Sequence, residues 1–320
     1  MSNNQVQYFC VDEDEDGQRL DNYLLKKLKG VPKSFIYRII RAGEVRVNKK
    51  RAKPLSRICQ GDAVRVPPLR SSQTTLSERG IHPDDGKKLE WLEAHILYED
   101  DAFLVLNKPS GLAVHGGSGV SLGIIEMLHR LRPKCRSLEL GHRLDKDTSG
   151  CLLVAKKRSF LRIFHTLLRN KQVEKHYTAL LAGHWKGVKR RTVEASLEKN
   201  ILQSGERVVK VSEAGKAAVT HFELVKNFSN ACWVNASPLT GRTHQIRVHA
   251  VKLGYPIVGD DKYGNYEVNK QMRSKGCPRL CLHAQSLKFT LPEEGTCYFE
   301  APLDDKMTLF LANLEHSHGS

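Results

Sequence analysis

Apolar side chains recur at helical spacing twice near the start of the chain. In RLDNYLLKKL, Leu20, Tyr23, Leu24 and Leu28 share one stripe while Lys26, Lys27 and Lys29 lie off it, which predicts a short helix. After Pro32, SFIYRIIRAG sets Ile36, Ile39 and Ile40 on a second face, leaves Lys33, Arg38 and Arg41 to point away, and ends at a helix-stopping Gly43. The period then drops to two. EVRVNKKR and DAVRVPP alternate apolar with polar residues and are expected as short strands, turned at residues 48–53 and at Gly61-Asp62. Residues 71–90, SSQTTLSERGIHPDDGKKLE, carry only Leu76, Ile81 and Leu89 as apolar side chains and are expected to be a linker. From Trp91 onward short apolar runs return: HILYEDD, FLVLNKP, CLLVAKK, YTALLAG, THFELVKN and ACWVNASPL. Helical stretches, notably SLGIIEMLHRL and SFLRIFHTLLRN, fall between them, so an α+β or mixed α/β domain is expected.

Composition narrows the partner. The 320 residues are 40% hydrophobic and 27% charged, and 51 basic against 35 acidic side chains give a formal charge of +16. Between Gly17 and Arg70 fifteen lysines and arginines face three acids (Asp21, Glu44, Asp62), so +12 of that excess sits in one small segment. Such a module favours a polyanion, nucleic acid ahead of an anionic membrane. The eight cysteines are scattered, as in reduced intracellular proteins. Only Cys277 and Cys281 are close, as C-x-x-x-C, and no second pair completes a four-ligand zinc site. The start, MSNNQVQYFCVDEDEDG, lacks an apolar run after a basic region, and no stretch approaches the ~20 apolar residues of a membrane helix. A cytoplasmic protein with no membrane partner is expected.

Two segments concentrate chemistry. GHRLDKDTSG, residues 141–150, connects SLEL to the buried-looking strand CLLVAKK. Asp145 and Asp147 there could be a general acid/base pair, or turn and cap residues with Thr148, Ser149 and Gly150. PLTGRTHQIRVH, residues 238–249, leads into a helix expected to end at Gly254. An arginine in it could hold a carboxylate ionised and aimed, or bind a phosphate. His142, Asp145, Asp147, His244, His249 and His283 could in principle converge on a metal, but no spacing of known ligand geometry supports it. SGLAVHGGSG lacks the Walker pattern, and no G-x-S-x-G supports a serine nucleophile.

The ordered series ILYEDDAFLVLNKPSGLAVH, GHRLDKDTSGCLLVAKK, EKHYTALLAG, PLTGRTHQIRVHAVKLGYPIVGDDKYG and LHAQSLKF goes beyond generic chemistry. Through it residues 91–303 resemble the catalytic domain of the RluA-type pseudouridine synthases, which convert uridine to pseudouridine in RNA. HRLD-x-x-TSG is a highly specific signature. RLDNYL, SFIYRIIRAGEVRVNKKR and GDAVRVP resemble the S-four-type RNA-binding module of a ribosomal small-subunit protein and some aminoacyl-tRNA synthetases. GVPKSFIYRIIRAGEVRVNKKR, AVHGGSG and KNILQSGERVVKVS resemble most the C-type branch of the family, which acts on large-subunit ribosomal RNA. The acidic first 16 residues and the tail LEHSHGS stay outside the resemblance.

The resemblance implies an α+β protein. A small αα-β RNA-binding domain at 17–70 is followed by a linker at 71–90 and a catalytic domain at 91–315 with a mixed, mainly antiparallel sheet. It implies Asp145 as the catalytic residue, Tyr177 packed against the target base, and Arg247 paired with Asp145. Asp147 falls where the family varies and is given no chemistry. Arg143 is expected to help hold the rearranged RNA or to occupy space near the extruded nucleotide, joined as RNA contacts by Lys33, Arg38, Arg41, Lys49, Lys50, Arg51, Lys53, Arg242 and His244. A buried uracil must be flipped out to react, and an aromatic ring can hold it. Breaking and remaking the base–sugar bond needs neither redox step nor group donor, so no cofactor and no metal are expected. The expected partner is large-subunit ribosomal RNA or a ribosome assembly intermediate, met by a monomer. Whether Asp145 attacks the ribose, adds to the base or removes a sugar proton is left open.

Overall fold

The computed structural model describes residues 6–28, 31–68, 89–114, 123–135, 137–201 and 207–316. The expected linker therefore lies outside the described residues except for its last two, as does the second half of SGLAVHGGSG. The chain divides into two compact units, residues 1–88 and 89–320.

In the first unit, α1 (Leu20–Lys27) and α2 (Lys33–Ala42) bury the predicted stripes, with Leu20, Tyr23, Leu24, Ile36, Ile39 and Ile40 all in one core. Gly43 ends α2 at φ 76°, a left-handed conformation that favours glycine. The core is closed by a four-stranded antiparallel sheet of β1 (Gln7–Cys10), β2 (Arg46–Val47), β3 (Lys50–Arg51) and β4 (Ala63–Val66), in the order β1-β4-β2-β3. Two features depart from the sequence reading. EVRVNKKR is a hairpin folded on itself, because Asn48 and Lys49 take φ 48° and 68°, the pair of positive values a tight two-residue turn requires. The Asn48 amide secures the turn by donating to Asp62 at 2.7 Å and accepting from the Ala63 N–H at 2.8 Å. β1 belongs to the acidic start that the sequence reading left outside this unit; four residues of alternation are too few to stand out by pattern.

The second unit is built on a ten-stranded sheet. Its central path runs β10 (Arg190–Glu194), β13 (Val219–Asn227), β14 (Ala231–Pro238), β9 (Val173–Ala182), β15 (Leu282–Leu291), β8 (Ser149–Ala155), β6 (Phe103–Lys108) and β5 (Ile96–Glu99). β16 (Gly295–Glu300) pairs with β15, and β7 (Glu139–Leu140) with β8. The pairings are antiparallel except β15 with β8, so the sheet is mixed and mainly antiparallel. β8 is buried at all seven positions, as its apolar run CLLVA requires at the centre of a covered sheet. Alternation then sorts the neighbours. Phe103, Val105 and Leu153 face α4 (Arg158–Arg169), whereas Leu104, Leu106, Leu152 and Val154 face α3 (Ile124–Leu131). A third cluster packs α5 (Gln245–Lys252), α6 (Tyr266–Ser274) and α7 (Asp305–His316) near β9 and β14. A separate hairpin, β11 (Leu197–Ile201) with β12 (Arg207–Val211), packs Leu197 and Val209 with Val248 of α5. No described helix is long and apolar enough to cross a membrane.

Candidate active site

Within the second unit lies a cavity of about 550 Å³, lined by His142, Arg143, Asp145, Lys175, Tyr177 and Arg247 among others. That volume falls in the range of roughly 300–1,000 Å³ usual for small-molecule sites. Asp145 stands in the loop between β7 and β8, and neighbours pin this loop from several sides. His142 Nε2 accepts the Leu153 N–H at 3.2 Å, and burial, then the Lys175 charge, push its imidazole down to about 3, so the acceptor is kept. Leu144 is buried in the cluster around α3, and the Thr148 N–H donates back to the Asp145 carbonyl at 3.2 Å. Gly150, at φ 107°, lets β8 run against β15 where a Cβ would overlap the Ala284 carbonyl.

The segment KPSG props the loop from beneath. Lys108 is fully buried, and its Nζ donates to the carbonyls of Pro109, Leu112 and Lys146 at 2.8, 2.9 and 2.8 Å. Burial pushes that amine down to about 7, while the charges of Asp147 and Asp145 oppose the shift. Three acceptors, one for each ammonium hydrogen, also favour the charged form. Ser110 Oγ donates to the Asp147 carbonyl at 2.6 Å and the Gly111 N–H to the Lys146 carbonyl at 2.9 Å.

α5 is buried from Gln245 to Ala250, so its polar side chains are held by the protein and not offered to solvent. Gln245 Nε2 donates to the Val219 carbonyl at 2.9 Å, and His249 bonds the Thr220 hydroxyl at 2.9 Å and the Ala195 carbonyl at 3.1 Å. Arg247 gives Nε and Nη2 to the two oxygens of Asp260 at 2.8 and 2.7 Å. Its third nitrogen, Nη1, is 3.7 Å from Asp145 Oδ2. The expected Arg247–Asp145 pair is thus an ion-pair contact, and the hydrogen-bonded partner is Asp260. A planar fork can satisfy one carboxylate along one edge and leave a nitrogen for another group. Asp260 Oδ1 also accepts the N–H groups of Lys262 and Tyr263, both at 3.0 Å. From α6, Asn269 donates to the Asp260 carbonyl at 2.9 Å.

The helix starts later than THQIRVHAVKLG suggests, because His244 takes a left-handed cap conformation at φ 53°. Expected as an RNA contact, His244 lies beside Asp145, with Nε2 3.8 Å from Oδ2. Its Nδ1 is 2.7 Å from the Tyr263 hydroxyl, which itself accepts the Val209 N–H at 2.9 Å. In the tautomer where the Tyr263 hydroxyl donates to Nδ1, the imidazole N–H faces Asp145. Burial lowers the His244 imidazole, with Asp145 opposing. Tyr177, on β9 opposite Ala236, packs against two of the core clusters, and burial, then the Asp145 charge, raise its phenol.

The other expected RNA contacts separate by unit. Arg143 and Arg242 are exposed at the cavity, Arg242 donating to the Ala217 carbonyl at 3.2 Å. In the first unit Arg38, Arg41, Lys49, Lys50, Arg51 and Lys53 are exposed, while the Lys33 side chain lies outside those described. Arg38 stacks over Phe35 at 4.5 Å; Arg51 reaches back to the Ala42 carbonyl at 2.8 Å and so caps α2. The histidines of the metal reading are engaged too: His283 bonds the Ser149 hydroxyl and the Ala301 carbonyl, each at 2.8 Å. Among the described residues no group of three or more His, Cys, Asp or Glu could hold a metal ion. Sequence reading missed Asp260, Lys108 and Tyr263. An acid between Gly259 and Gly264 in GDDKYG carries the composition of a side-chain-capped turn, the one signal that pointed to Asp260.

Residues 102–252 match the RNA pseudouridylate synthase family and residues 18–64 the S4 domain, an RNA-binding module. The "Ribosomal large subunit pseudouridine synthase C" of Haemophilus influenzae is 53% identical over 98% of this chain and 97% of its own. Its namesake from Escherichia coli K12 is 52% identical over 98% of each chain. The solved structure of human RNA pseudouridylate synthase domain containing 4 superposes with a TM-score of 0.60 at 27% identity, covering 72% of this chain and 97% of that one. The chain belongs to the pseudouridine synthase family, and it is an enzyme of that class.

Proposed function

We propose that the protein isomerises uridine to pseudouridine at specific sites of large-subunit ribosomal RNA in the cytoplasm, acting as a monomer without a cofactor. The substrate assignment draws on the relatives named above. Residues 17–70, extended by β1, serve as the RNA-binding domain, and 91–315 as the catalytic domain. The target base flips into the cavity and packs against Tyr177, Asp145 performs the chemistry, and Arg247 aims it. Arg143 and Arg242 hold RNA at the mouth, while the exposed cations of the first unit bind phosphates elsewhere.

The observation that carries this reading is Asp145 on the wall of a cavity shared with Tyr177, 3.7 Å from a guanidinium that Asp260 locks in place. Tritium release from ribosomal RNA labelled at uracil C5 measures the reaction. Asp145→Asn is expected to abolish release while RNA affinity survives; turnover at the wild-type rate by this variant would remove Asp145 from the mechanism.

A further inference from the structure

Lys175 is a half-buried cation of the cavity, on the same wall as Tyr177. It stands on β9 two residues before Tyr177, so the two side chains leave the same face of the strand, about 6.6 Å apart along it. Its Nζ lies beside the turn at Gly241, 3.9 Å from where a Cβ there would sit, and its charge reaches the His142 ring. Among the described residues it makes no hydrogen bond and no ion pair. Glu174, next in sequence, is engaged with Lys288 at 3.2 Å. Among the described residues Asp145 is the only acid on the cavity wall, against the cations Arg143, Arg169, Lys171, Lys175, Arg242 and Arg247. Burial alone acts on the Lys175 amine, lowering it, with no carboxylate opposing.

A desolvated ammonium without a counter-ion is costly and is expected to be retained where a ligand supplies the missing charge. We propose that Lys175 binds a phosphate of the target nucleotide and is a positioning residue, setting how deep the flipped uridine enters. The assignment presupposes the uridine-isomerising role proposed above, because a base packed on Tyr177 brings its own backbone phosphate within reach of the same strand face. A phosphate fits better than a uracil carbonyl or a ribose hydroxyl, since only an anion neutralises the half-buried charge.

The test uses the full-length protein and unmodified large-subunit ribosomal RNA made by transcription. Lys175→Met, Lys175→Gln and Lys175→Arg are compared with wild type for KM and kcat by tritium release, and for RNA affinity across a potassium chloride series. Removing one phosphate contact is expected to raise KM about tenfold or more with kcat within about threefold. The slope of log affinity against log salt should shrink by about 0.7–0.9, and Lys175→Arg should restore it. A merely structural lysine would leave that slope unchanged. A wild-type slope in Lys175→Gln or Lys175→Met, or a loss confined to kcat, overturns the proposal. If Lys175→Met does not fold, Lys175→Gln against Lys175→Arg decides. Should wild type release no tritium, the functional reading fails, while the salt slope still tests the phosphate contact by itself.

Discussion

The two units hold their cations differently. In the first, Arg38, Arg41, Lys49, Lys50 and Lys53 stand exposed, Arg38 and Arg41 lying over the rings of Phe35 and Tyr37 at 4.5 and 5.7 Å. In the second, key cations are tied to protein acceptors: Arg247 to Asp260, Lys108 to three carbonyls, and Arg132 to Glu93 and Glu99, both at 2.6 Å. The same residue types thus do two kinds of work. Solvated charges attract a polyanion over long range and lose that pull in salt, because releasing its counterions is what drives binding. Buried, forked charges hold side-chain geometry and are little screened.

The contrast breaks most readily at Asp260. Asp260→Asn strands a buried guanidinium, and stability is expected to fall by about 3–5 kcal/mol. Isomerisation should drop by about 100-fold or more, since Arg247 loses its fixed aim on Asp145. Denaturant unfolding and tritium release measure the two effects; a stable, active variant would mean that the bidentate pair is not what fixes the site. Replacing Arg38, Arg41, Lys49 and Lys50 together by Gln is expected to leave the thermal midpoint near wild type while the salt slope of RNA affinity shrinks by about 3. An unchanged slope would separate this surface from RNA.

The smallest effect concerns Glu99. Its hydrogen bond from Arg132, and then that from Lys156, hold the carboxyl at about 2 against an ordinary 4.5. Because the folded value is the lower one, this stabilisation is complete above pH about 4.5 and is lost as pH falls through about 2. Glu99→Gln should therefore flatten that part of the acid-unfolding profile and lower the midpoint at pH 7 by about 2–4 °C. A steeper acid limb in the variant would contradict the sign. In this ordering the tied cations are expected to govern stability and catalytic rate, and the solvated ones affinity.

Local interactions made much of the molecule legible before any coordinates. Stripes at helical spacing placed α1, α2, α3 and α4, and continuous apolar runs placed β6, β8 and β9, because burial of each face depends on residues a few positions apart. Asp145, Tyr177 and Arg247 were singled out by the resemblance of short motifs to a known family, each motif lying on a single strand, loop or helix. The contacts that make them a site were not. Arg247 meets Asp260 across 13 positions, Lys108 meets Lys146 across 38, and Ser149 meets His283 across 134. Nothing in HQIRVH distinguishes an arginine that holds Asp145 from one held mainly by Asp260. Periodicity and motif report which residues belong together on one element. Which buried charge finds which partner is settled only when distant elements pack and each desolvated group must be satisfied by whatever lies beside it.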